Sequence, residues 1–342
     1  MRITILAADA PGPPGRSAAS PGLECAPGET VLSALARHGL ALPSACRAGV
    51  CRACLVRAAD GDPGPAGAAG LEEALAAGGY FLACQARPAG DLTVALAGGD
   101  IYTPARLLSV RRDAGAFRVR VAPERPLAFA AGQHVALRVP AGGADLVRVY
   151  SFANRPAEAA RDGAEFYVRA YPGGAMTAWL ARARPGARLS LGRPAGTCCY
   201  QPGEPGAPLL LAGTGTGLAP LAAVARDALA RGHHGPIVLL RGAVRSSRLY
   251  PAEYLPRAPA RVRTCLQSRG EDLVAAVMAE YSAVMAEYGA LAAGHGAGAA
   301  APRAYLCGGP SVVARMQRAL FLAGQSLRQI HHDAFTAAVM AP

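Results

Sequence analysis

The sequence predicts a multidomain protein in which a small cysteine-bearing unit precedes an all-β unit and an α/β unit. Three cysteines lie within nine residues, and a fourth follows thirty residues later. Short apolar strands separated by glycine and proline run from residue 105 to 200, and after residue 206 strands alternate with helical segments. A chain of 342 residues is also too long for one ordinary core.

Composition narrows the class of protein. Hydrophobic residues make up 52% of the chain and charged residues 17%, which is typical of a folded protein. The sequence has no run of about 18 apolar residues, so no membrane span is predicted. The segment from Arg2 to Ala7 has the pattern of a first strand and not of a signal peptide.

The net charge of +12 comes from arginine, since the chain has no lysine. Residues 1–98 hold seven arginines against eight acidic residues, so the excess lies in residues 99–342. These arginines are scattered, without a basic run or an aromatic platform, which disfavours nucleic acid and favours anionic cofactors and an acidic partner face. Five further cysteines, scattered and odd in number, indicate a reducing, cytoplasmic location.

Cys46, Cys51 and Cys54, with Cys84 further on, form the pattern C-x4-C-x2-C…C, which is the ligand spacing of a plant-type [2Fe–2S] cluster. Small residues between the cysteines let the backbone wrap closely and point its N–H groups at sulfur. A structural zinc site is the main alternative, but zinc sites usually show two short paired spacings, and this pattern has a four-residue gap. A chance arrangement is the other alternative.

Elements expected within this first unit include two helices and two later strands. The helices are predicted over 29–39 and 71–77, and Thr30 and Gly39 are suitable caps for the first. Strands are predicted at 55–57 and 92–96 from their alternating apolar residues.

The segments around the cysteines, LPSACRAGVCRAC at 42–54 and YFLACQA at 80–86, resemble the plant-type ferredoxin domain of bacterial oxygenase reductases. The resemblance covers nearly all of residues 1–98 and implies a β-grasp fold. It also implies that the metal ligands are Cys46, Cys51, Cys54 and Cys84. Arg52 departs from the relatives, which usually have a small residue there, and it would place a cation beside the cluster.

The all-β unit contains two motifs at strand ends. Arg148-Val149-Tyr150-Ser151 closes one strand, and a strand ending near Tyr171 turns through Gly173-Gly174 into a helix beginning near Met176. N–H groups at a helix start attract phosphate, a nearby arginine can pair with the same phosphate, and a tyrosine offers a face to a flat ring. R-x-Y-S alone is more often plain strand, but the two motifs in this order favour a cofactor site.

Together these motifs resemble the FAD-binding barrel of the ferredoxin–NADP reductase superfamily over residues 101–202, after a short linker at 99–104. The resemblance implies an antiparallel Greek-key β-barrel in which Arg148 holds the flavin pyrophosphate, Tyr150 packs on the isoalloxazine and Ser151 lies near flavin N5. Further cofactor contacts would come from Val168, Gly174, Met176 and Thr177. The choice of FAD over FMN rests on the family.

The α/β unit opens with an apolar strand at 208–212 that leads through the glycine-rich turn 213–217 into a helix. Further strands at 237–240, 261–266 and 304–307 predict a doubly wound fold. The glycines let the backbone approach a dinucleotide pyrophosphate, which the helix N-terminus faces. Because the turn lacks the G-x-G-x-x-G fingerprint, a plain tight turn is equally compatible with it.

A second motif, Tyr305-Leu306-Cys307-Gly308-Gly309-Pro310-Ser311, ends a strand at the same sheet edge. Both motifs resemble the NAD(P)H domain of the same superfamily, which would occupy residues 205–342 and place Phe335 near the flavin. The residues implied along the nicotinamide and pyrophosphate path are Thr214, Gly215, Gly217, Cys307 and Gly308. The candidate catalytic residues are then Ser151, Tyr150 and Cys307. The alternative for Cys307 is a small buried apolar residue.

The sequence does not decide between NADH and NADPH. The loop after the second strand of this unit contains Arg245 and Arg248, with no acid before Glu253. A carboxylate there would favour NADH, whereas arginine suits the 2′-phosphate of NADPH, so Arg245 is a candidate contact. Oxygenase reductases of this layout mostly use NADH, so either nucleotide stays open, with a slight lean to NADH.

Two further patterns are structural. A direct repeat, AVMAEY at 276–281 and 283–288, places equivalent residues seven apart on one helix face, which favours a lengthened surface helix over a seam for a partner helix. A flexible Gly/Ala loop is predicted at 294–301. His331 and His332 would point to opposite faces of a strand, which disfavours a metal site.

The chemistry of the three cofactors explains why the three units are joined in one chain. NAD(P)H gives up two electrons together and a cluster takes one, whereas a flavin can accept two and release them singly. The sequence therefore predicts an NAD(P)H-dependent reductase that passes electrons through FAD and a [2Fe–2S] cluster to the oxygenase component of a mono- or dioxygenase. We expect a monomer. A non-oxygenase acceptor, such as a deoxysugar dehydrase, and a non-catalytic redox sensor are the alternatives; Ser151 and the complete cysteine set disfavour the sensor.

Overall fold

The computed structural model contains three units, each built around its own sheet. It describes residues 1–6, 22–96, 101–113, 115–141, 145–201, 203, 205–256, 260–294 and 302–335, with the side chains of 288–294 left out. Parts of three predicted features lie outside these residues: the strand end at Ala7, the start of the linker at 99 and most of the Gly/Ala loop at 294–301.

The first unit is a five-stranded mixed sheet with short helices. Its elements are β1 (Arg2–Leu6), β2 (Leu23–Glu24), α1 (Val31–Arg37), β3 (Leu55–Asp60), α2 (Pro65–Ala68), α3 (Glu73–Ala77), β4 (Tyr80–Leu82) and β5 (Leu92–Ala95). The strand order is β2-β1-β5-β3-β4, and β1 runs parallel to β5. The Thr30 hydroxyl accepts the N–H of Ser33 at 3.2 Å, which confirms the predicted N-cap of α1. The C-cap is His38, one residue before the predicted Gly39, which follows with a φ of +79°.

The middle unit is a six-stranded antiparallel sheet. Its elements are β6 (Thr103–Asp113), β7 (Ala116–Pro123), β8 (His134–Val139), β9 (Leu146–Ser151), α4 (Pro156–Asp162), β10 (Ala164–Arg169), α5 (Ala175–Arg182) and β11 (Arg188–Leu191). The strand order is β10-β7-β6-β11-β8-β9, and a bridge between Phe152 and Phe166 connects its two ends. Both rings are fully buried, and Phe129 stacks on Phe152 with 3.8 Å between ring centroids.

The third unit is a parallel sheet with helices on both faces. Its elements are β12 (Leu209–Thr214), α6 (Leu218–Ala230), β13 (Ile237–Ala243), β14 (Arg261–Leu266), α7 (Leu273–Gly294), β15 (Arg303–Gly308), α8 (Pro310–Leu322) and β16 (Ile330–Ala334). The strand order is β14-β13-β12-β15-β16. Leu209 and Leu211 share a core with α6, while Leu210 and Ala212 share one with α7 and α8, which explains why β12 is apolar throughout.

Elements without a strong apolar pattern were not predicted. Helix α4 has no buried side chain, so its sequence lacks helical periodicity. Strand β2 has two residues and β11 has four, which is too short for an alternation to be recognised.

Part of the predicted linker is packed rather than exposed. Ile101 and Tyr102 are 4% and 3% exposed, and they share a core with the cysteine loop of the first unit. These two residues therefore join the first and middle units through a buried contact.

The repeated hexapeptide lies in α7, which is 22 residues long. Val277 and Val284, which are equivalent in the two copies, are both buried in the core beneath the parallel sheet, so this face of the repeat packs within the chain and not against a partner. None of the helices within the described residues is long and apolar enough to cross a membrane.

Truncation of the central strand should destabilise the third unit. Leu211 is fully buried, so Leu211→Ala should cost about 2–5 kcal/mol of opening free energy for the β12 amides, measured by native-state hydrogen exchange. Leu322→Ala is the matched control, because Leu322 is 71% exposed, and it should change the same quantity by less than about 0.5 kcal/mol. Equal effects would contradict the placement of Leu211 in the core.

Candidate functional site

The four predicted ligand cysteines lie on one side of the first unit, in the loop before β3 and just after β4. The N–H of Cys46 donates to the sulfur of Cys51, and the N–H of Cys51 donates to the sulfur of Cys46, both at 3.4 Å. Cys54 and Cys84 form a second hydrogen-bonded pair through their sulfur atoms. The cysteines are therefore arranged two by two.

Each pair contains one donating and one accepting sulfur. The Cys51 thiol donates to Cys46 and lowers the pKa of Cys46 to about 5, while the same hydrogen bond and burial raise the pKa of Cys51. The Cys54 thiol likewise donates to Cys84 and lowers its pKa to about 6, while the pKa of Cys54 is raised. Cysteine binds metal as the thiolate.

The paired arrangement fits a binuclear cluster better than a single ion. Among the described residues, no three His, Cys, Asp or Glu side chains converge as a site for one metal ion requires. Two pairs of thiolates can hold two irons, one iron for each pair, in a four-cysteine [2Fe–2S] site.

Backbone and side-chain N–H groups point at the sulfur atoms, as the small residues of the loop predict. The N–H of Ala48 donates to the sulfur of Cys46 at 3.3 Å. The Gln85 amide donates to the sulfur of Cys84 at 3.4 Å and to the carbonyl of Arg47 at 3.0 Å, so it ties the loop to the last ligand. Such donors stabilise thiolates and tune a cluster.

Arg52 does not present a free cation beside the cysteines. Its Nη1 atom lies 2.7 Å from both carboxylate oxygens of Glu72, and its Nη2 donates to the carbonyl of Gly70 at 3.1 Å. The expected cation is therefore neutralised, and Arg52 fastens the loop to the segment before α3. Its φ of +55° lies in the left-handed region, which costs a residue with a side chain about 1–2 kcal/mol.

The R-x-Y-S motif forms the end of β9, next to β8. Arg148 is half-buried and donates to the carbonyl of Val147 at 2.7 Å. Tyr150 packs against the core of the middle unit, where burial raises the pKa of its hydroxyl. Ser151 is 8% exposed.

The predicted phosphate turn leads into α5, which begins at Ala175, one residue before the expected start. Gly174 is the N-cap residue, and the Thr177 hydroxyl accepts the N–H of Tyr171 at 2.9 Å. This turn lines a cavity of about 750 Å³ together with Arg112 and Arg248, so cations face the free N–H groups of the helix start.

A larger cavity of about 890 Å³ lies at the carboxyl ends of the parallel strands. Here the connections from the neighbouring strands β12 and β15 lead to opposite sides of the sheet, which is the usual ligand position in doubly wound folds. Both cavities have the size of ligand sites, and they are adjacent because both are lined by Gly115, Tyr171, Ser247 and Arg248.

Glycines occur around this larger cavity because neighbouring atoms lie too close to leave room for a Cβ. Gly308 has a φ of +137°, and a Cβ there would overlap the Thr214 side chain. A Cβ on Gly217 would lie 2.8 Å from the carbonyl oxygen of Cys307. Gly217 therefore lets the turn pack against β15 and does not line the cavity.

Asp333 connects the middle and third units. The Ser151 hydroxyl donates to Oδ2 of Asp333 at 3.0 Å, and Nδ1 of His134 lies 3.6 Å from the same oxygen. Strand β16 pairs Asp333 with Cys307, and the Asp333 N–H donates to the Cys307 sulfur. Burial raises the pKa of Cys307, whose sulfur lies 3.7 Å from that of Cys198.

Sequence reasoning missed two members of this group. Neither Asp333 nor His134 belongs to a motif that the sequence predicted. A carboxylate two residues before a terminal aromatic was the available signal, but its contact with Ser151 spans 182 positions and no local pattern contains it.

The predicted site residues fall into three groups. The larger cavity is lined by Thr214, Gly215, Arg245, Gly308 and Phe335. The smaller is lined by Gly174 and Thr177. The remaining residues lie outside both linings: Arg148, Tyr150, Ser151, Val168, Met176, Gly217 and Cys307.

Arg245 lines the larger cavity and is exposed. Within the described part of the chain, no carboxylate forms an ion pair with it. The two acids that line the cavity are engaged elsewhere: Glu271 accepts the N–H of Leu266 at 2.6 Å, and Asp272 pairs with Arg315 at 3.1 Å.

Comparison with known families identifies two parts of the chain. Residues 21–89 match the family described as 2Fe-2S iron-sulfur cluster binding domain, and residues 106–200 match the oxidoreductase FAD-binding domain. The cofactors expected from the sequence, a [2Fe–2S] cluster and FAD, are therefore confirmed, and the cysteine pairs and the two adjacent cavities offer them suitable donors and space.

Individual proteins are also similar to this chain. The reductase subunit of an aromatic O-demethylase from Amycolatopsis sp. is 37% identical over 67% of this chain and 71% of its own. The ferredoxin–NAD(P)(+) reductase component of the naphthalene 1,2-dioxygenase system of Pseudomonas putida is 30% identical over 90% and 94%. The crystal structure of an Amycolatopsis cytochrome P450 reductase matches with a TM-score of 0.61 and 30% identity, covering 99% of both chains.

Loss of one cysteine should release the metal. Cys51→Ala removes one thiolate of four, so iron per chain and the visible cluster absorption should fall to a small fraction of the parent values. Cys25→Ala is the matched control, because Cys25 is buried in the same unit and has no part in the two pairs, and it should keep both quantities. Full iron content in Cys51→Ala would contradict the assigned ligand set.

Proposed function

We propose a function that proceeds from one premise: this chain belongs to the family of iron–sulfur flavoprotein reductase components of oxygenase systems. The protein takes electrons from NAD(P)H and passes them through FAD and a [2Fe–2S] cluster to an oxygenase component. The contact of Asp333 with Ser151, beside Cys307, carries this proposal, since it brings the flavin motif of one unit against the nucleotide sheet of the next.

A bound flavin supplies the conversion between the two electrons that NAD(P)H gives up together and the single electron that a cluster accepts. The chain's residues hold and orient the reactants. Ser151 and Asp333 place a hydroxyl and a carboxylate beside the buried Cys307, so a proton can be held at the Ser151 Oγ or the Asp333 Oδ2. Cys307 closes the site against water, since it is fully buried.

We assign the predicted residues to roles on this basis. Arg148 and the α5 turn at Gly174 and Thr177 bind the flavin pyrophosphate, and Tyr150 packs against its ring. Val168 and Met176 shape the site from the core. The nucleotide pyrophosphate lies along Thr214, Gly215 and Gly308, with Gly217 holding the turn in place and Phe335 closing the cavity. Four cysteines hold the cluster: Cys46, Cys51, Cys54 and Cys84.

We infer the finer architecture from the same premise. The first unit is a β-grasp domain over residues 1–98, the middle unit a Greek-key β-barrel over 101–202, and the third the nucleotide domain over 205–342. The strand orders of the described residues are compatible with these folds. We infer that the chain acts as a monomer that meets its oxygenase transiently, which size-exclusion chromatography with light scattering tests.

A spectrum of the purified holoprotein tests the function. NADH or NADPH added without oxygen should bleach the flavin bands first and then reduce the cluster bands. An oxygenase component should then reoxidise the protein. A flavin that responds to neither nucleotide would overturn the proposal.

The order of the carriers is testable with one variant. Cys51→Ala should lose reduction of a one-electron protein acceptor such as cytochrome c by more than about tenfold, because the cluster is the exit of the path. Reduction of ferricyanide directly from the flavin should persist at the parent rate. Equal loss of both activities would contradict a separate flavin and cluster.

Nucleotide preference depends on Arg245. Because its guanidinium faces the larger cavity, we propose that it accepts the 2′-phosphate, so that NADPH serves beside the NADH typical of the family. Arg245→Glu should raise the KM for NADPH by about tenfold or more and leave that for NADH within about twofold, measured by ferricyanide reduction. Arg328→Glu, at an exposed position outside both cavities, is the control. Equal effects on both nucleotides would show that Arg245 does not contact the 2′ position.

A further inference from the structure

The buried junction between the first and middle units centres on Tyr102. Its hydroxyl donates to the carbonyl of Ala53 at 3.2 Å, and both residues are almost fully buried. Ala53 lies between the ligands Cys51 and Cys54. Tyr102 therefore makes a direct hydrogen bond to the cluster loop from a residue that starts the middle unit.

The ring of Tyr102 is fixed on the middle unit. The guanidinium carbon of Arg138 lies 4.1 Å from the ring centroid, and Nε of Arg138 donates to the Ser190 hydroxyl at 2.9 Å. The ring is thus held by a cation–π contact to a side chain that is itself anchored on the sheet.

The same surface of the middle sheet leads to the flavin motif. In the β8–β9 ladder, Arg138 pairs with Val147 and His134 with Ser151, and alternate residues share one face. Val147 packs in the core of the cluster loop, and Ser151 contacts Asp333. Four residues of strand, about 13 Å, therefore separate Val147 at the cluster junction from Ser151 of the flavin motif.

We propose that Tyr102 is a positioning residue that holds the cluster loop against the flavin-binding sheet and so sets the rate of the flavin-to-cluster electron step. Electron transfer slows steeply with distance, so a loop that leaves the sheet is a poor acceptor. Tyr102 is suited to this role because its hydroxyl binds the loop while its ring stays on the sheet. The inference rests on the proposed order of carriers.

Variants of the holoprotein separate docking from folding. Tyr102→Phe removes the hydroxyl only, Tyr102→Ala removes the ring as well, and Arg138→Met removes the cation over the ring. Tyr281→Phe is the matched control, because it also deletes one buried hydroxyl, which donates to Gln325 in the third unit.

The first measurement does not depend on activity. Hydrogen exchange of peptides covering 50–56 and 101–106 should accelerate about tenfold in Tyr102→Phe, the factor expected for one lost buried hydrogen bond, and further in Tyr102→Ala. The visible circular dichroism of the cluster should change with it. Tyr281→Phe should leave both readouts at the parent values.

The second measurement is rapid mixing with NAD(P)H. The Tyr102 variants and Arg138→Met should reduce the flavin at the parent rate and the cluster several-fold more slowly, with Tyr102→Ala slowest. If Tyr102→Phe and Tyr102→Ala keep the hydrogen-exchange rates and the cluster-reduction rate of the parent protein, the positioning role is overturned. If NAD(P)H does not reduce the flavin of the parent protein, the proposed function is overturned instead. The hydrogen-exchange result would still decide the role of Tyr102 in docking.

Discussion

The ladder between β8 and β9 is the contact on which both redox junctions depend. Its register places Arg138 and Val147 under the cluster loop and His134 and Ser151 beside Asp333, all on one face. A shift of one residue would turn this face into the interior of the sheet. The register is held by the opposite face, where Val135 and Leu137 are buried in the core of the middle unit.

Within the third unit, the turns after β12 and β15 pack closely because both contain glycines. Gly217 lets the turn after β12 approach Cys307, and Gly308 leaves space for Thr214. Strand β16 then pairs with β15 and carries Asp333 to Ser151. The position of this carboxylate thus follows from the pairing of β16 with β15.

Local patterns predicted the parts of the molecule that are local in sequence. The cysteine spacing, the cap at Thr30 and the apolar run of β12 each lie within a few residues, and the structure has them where the sequence placed them. Asp333 and Tyr102 were missed because their contacts join residues 182 and 49 positions apart. The pairing of Arg52 with Glu72 was missed for the same reason, so its charge was expected to stay free.

The cluster loop has two different sides, one buried against the middle unit and one exposed. Ala53 is 1% exposed and faces Tyr102, whereas Val50, three residues earlier, is 61% exposed. Because the Arg52 charge is paired with Glu72, the exposed side lacks that cation, and a small apolar surface at Val50 is left for contact. The exposed side at Val50 is therefore the part of the loop that a protein partner can reach.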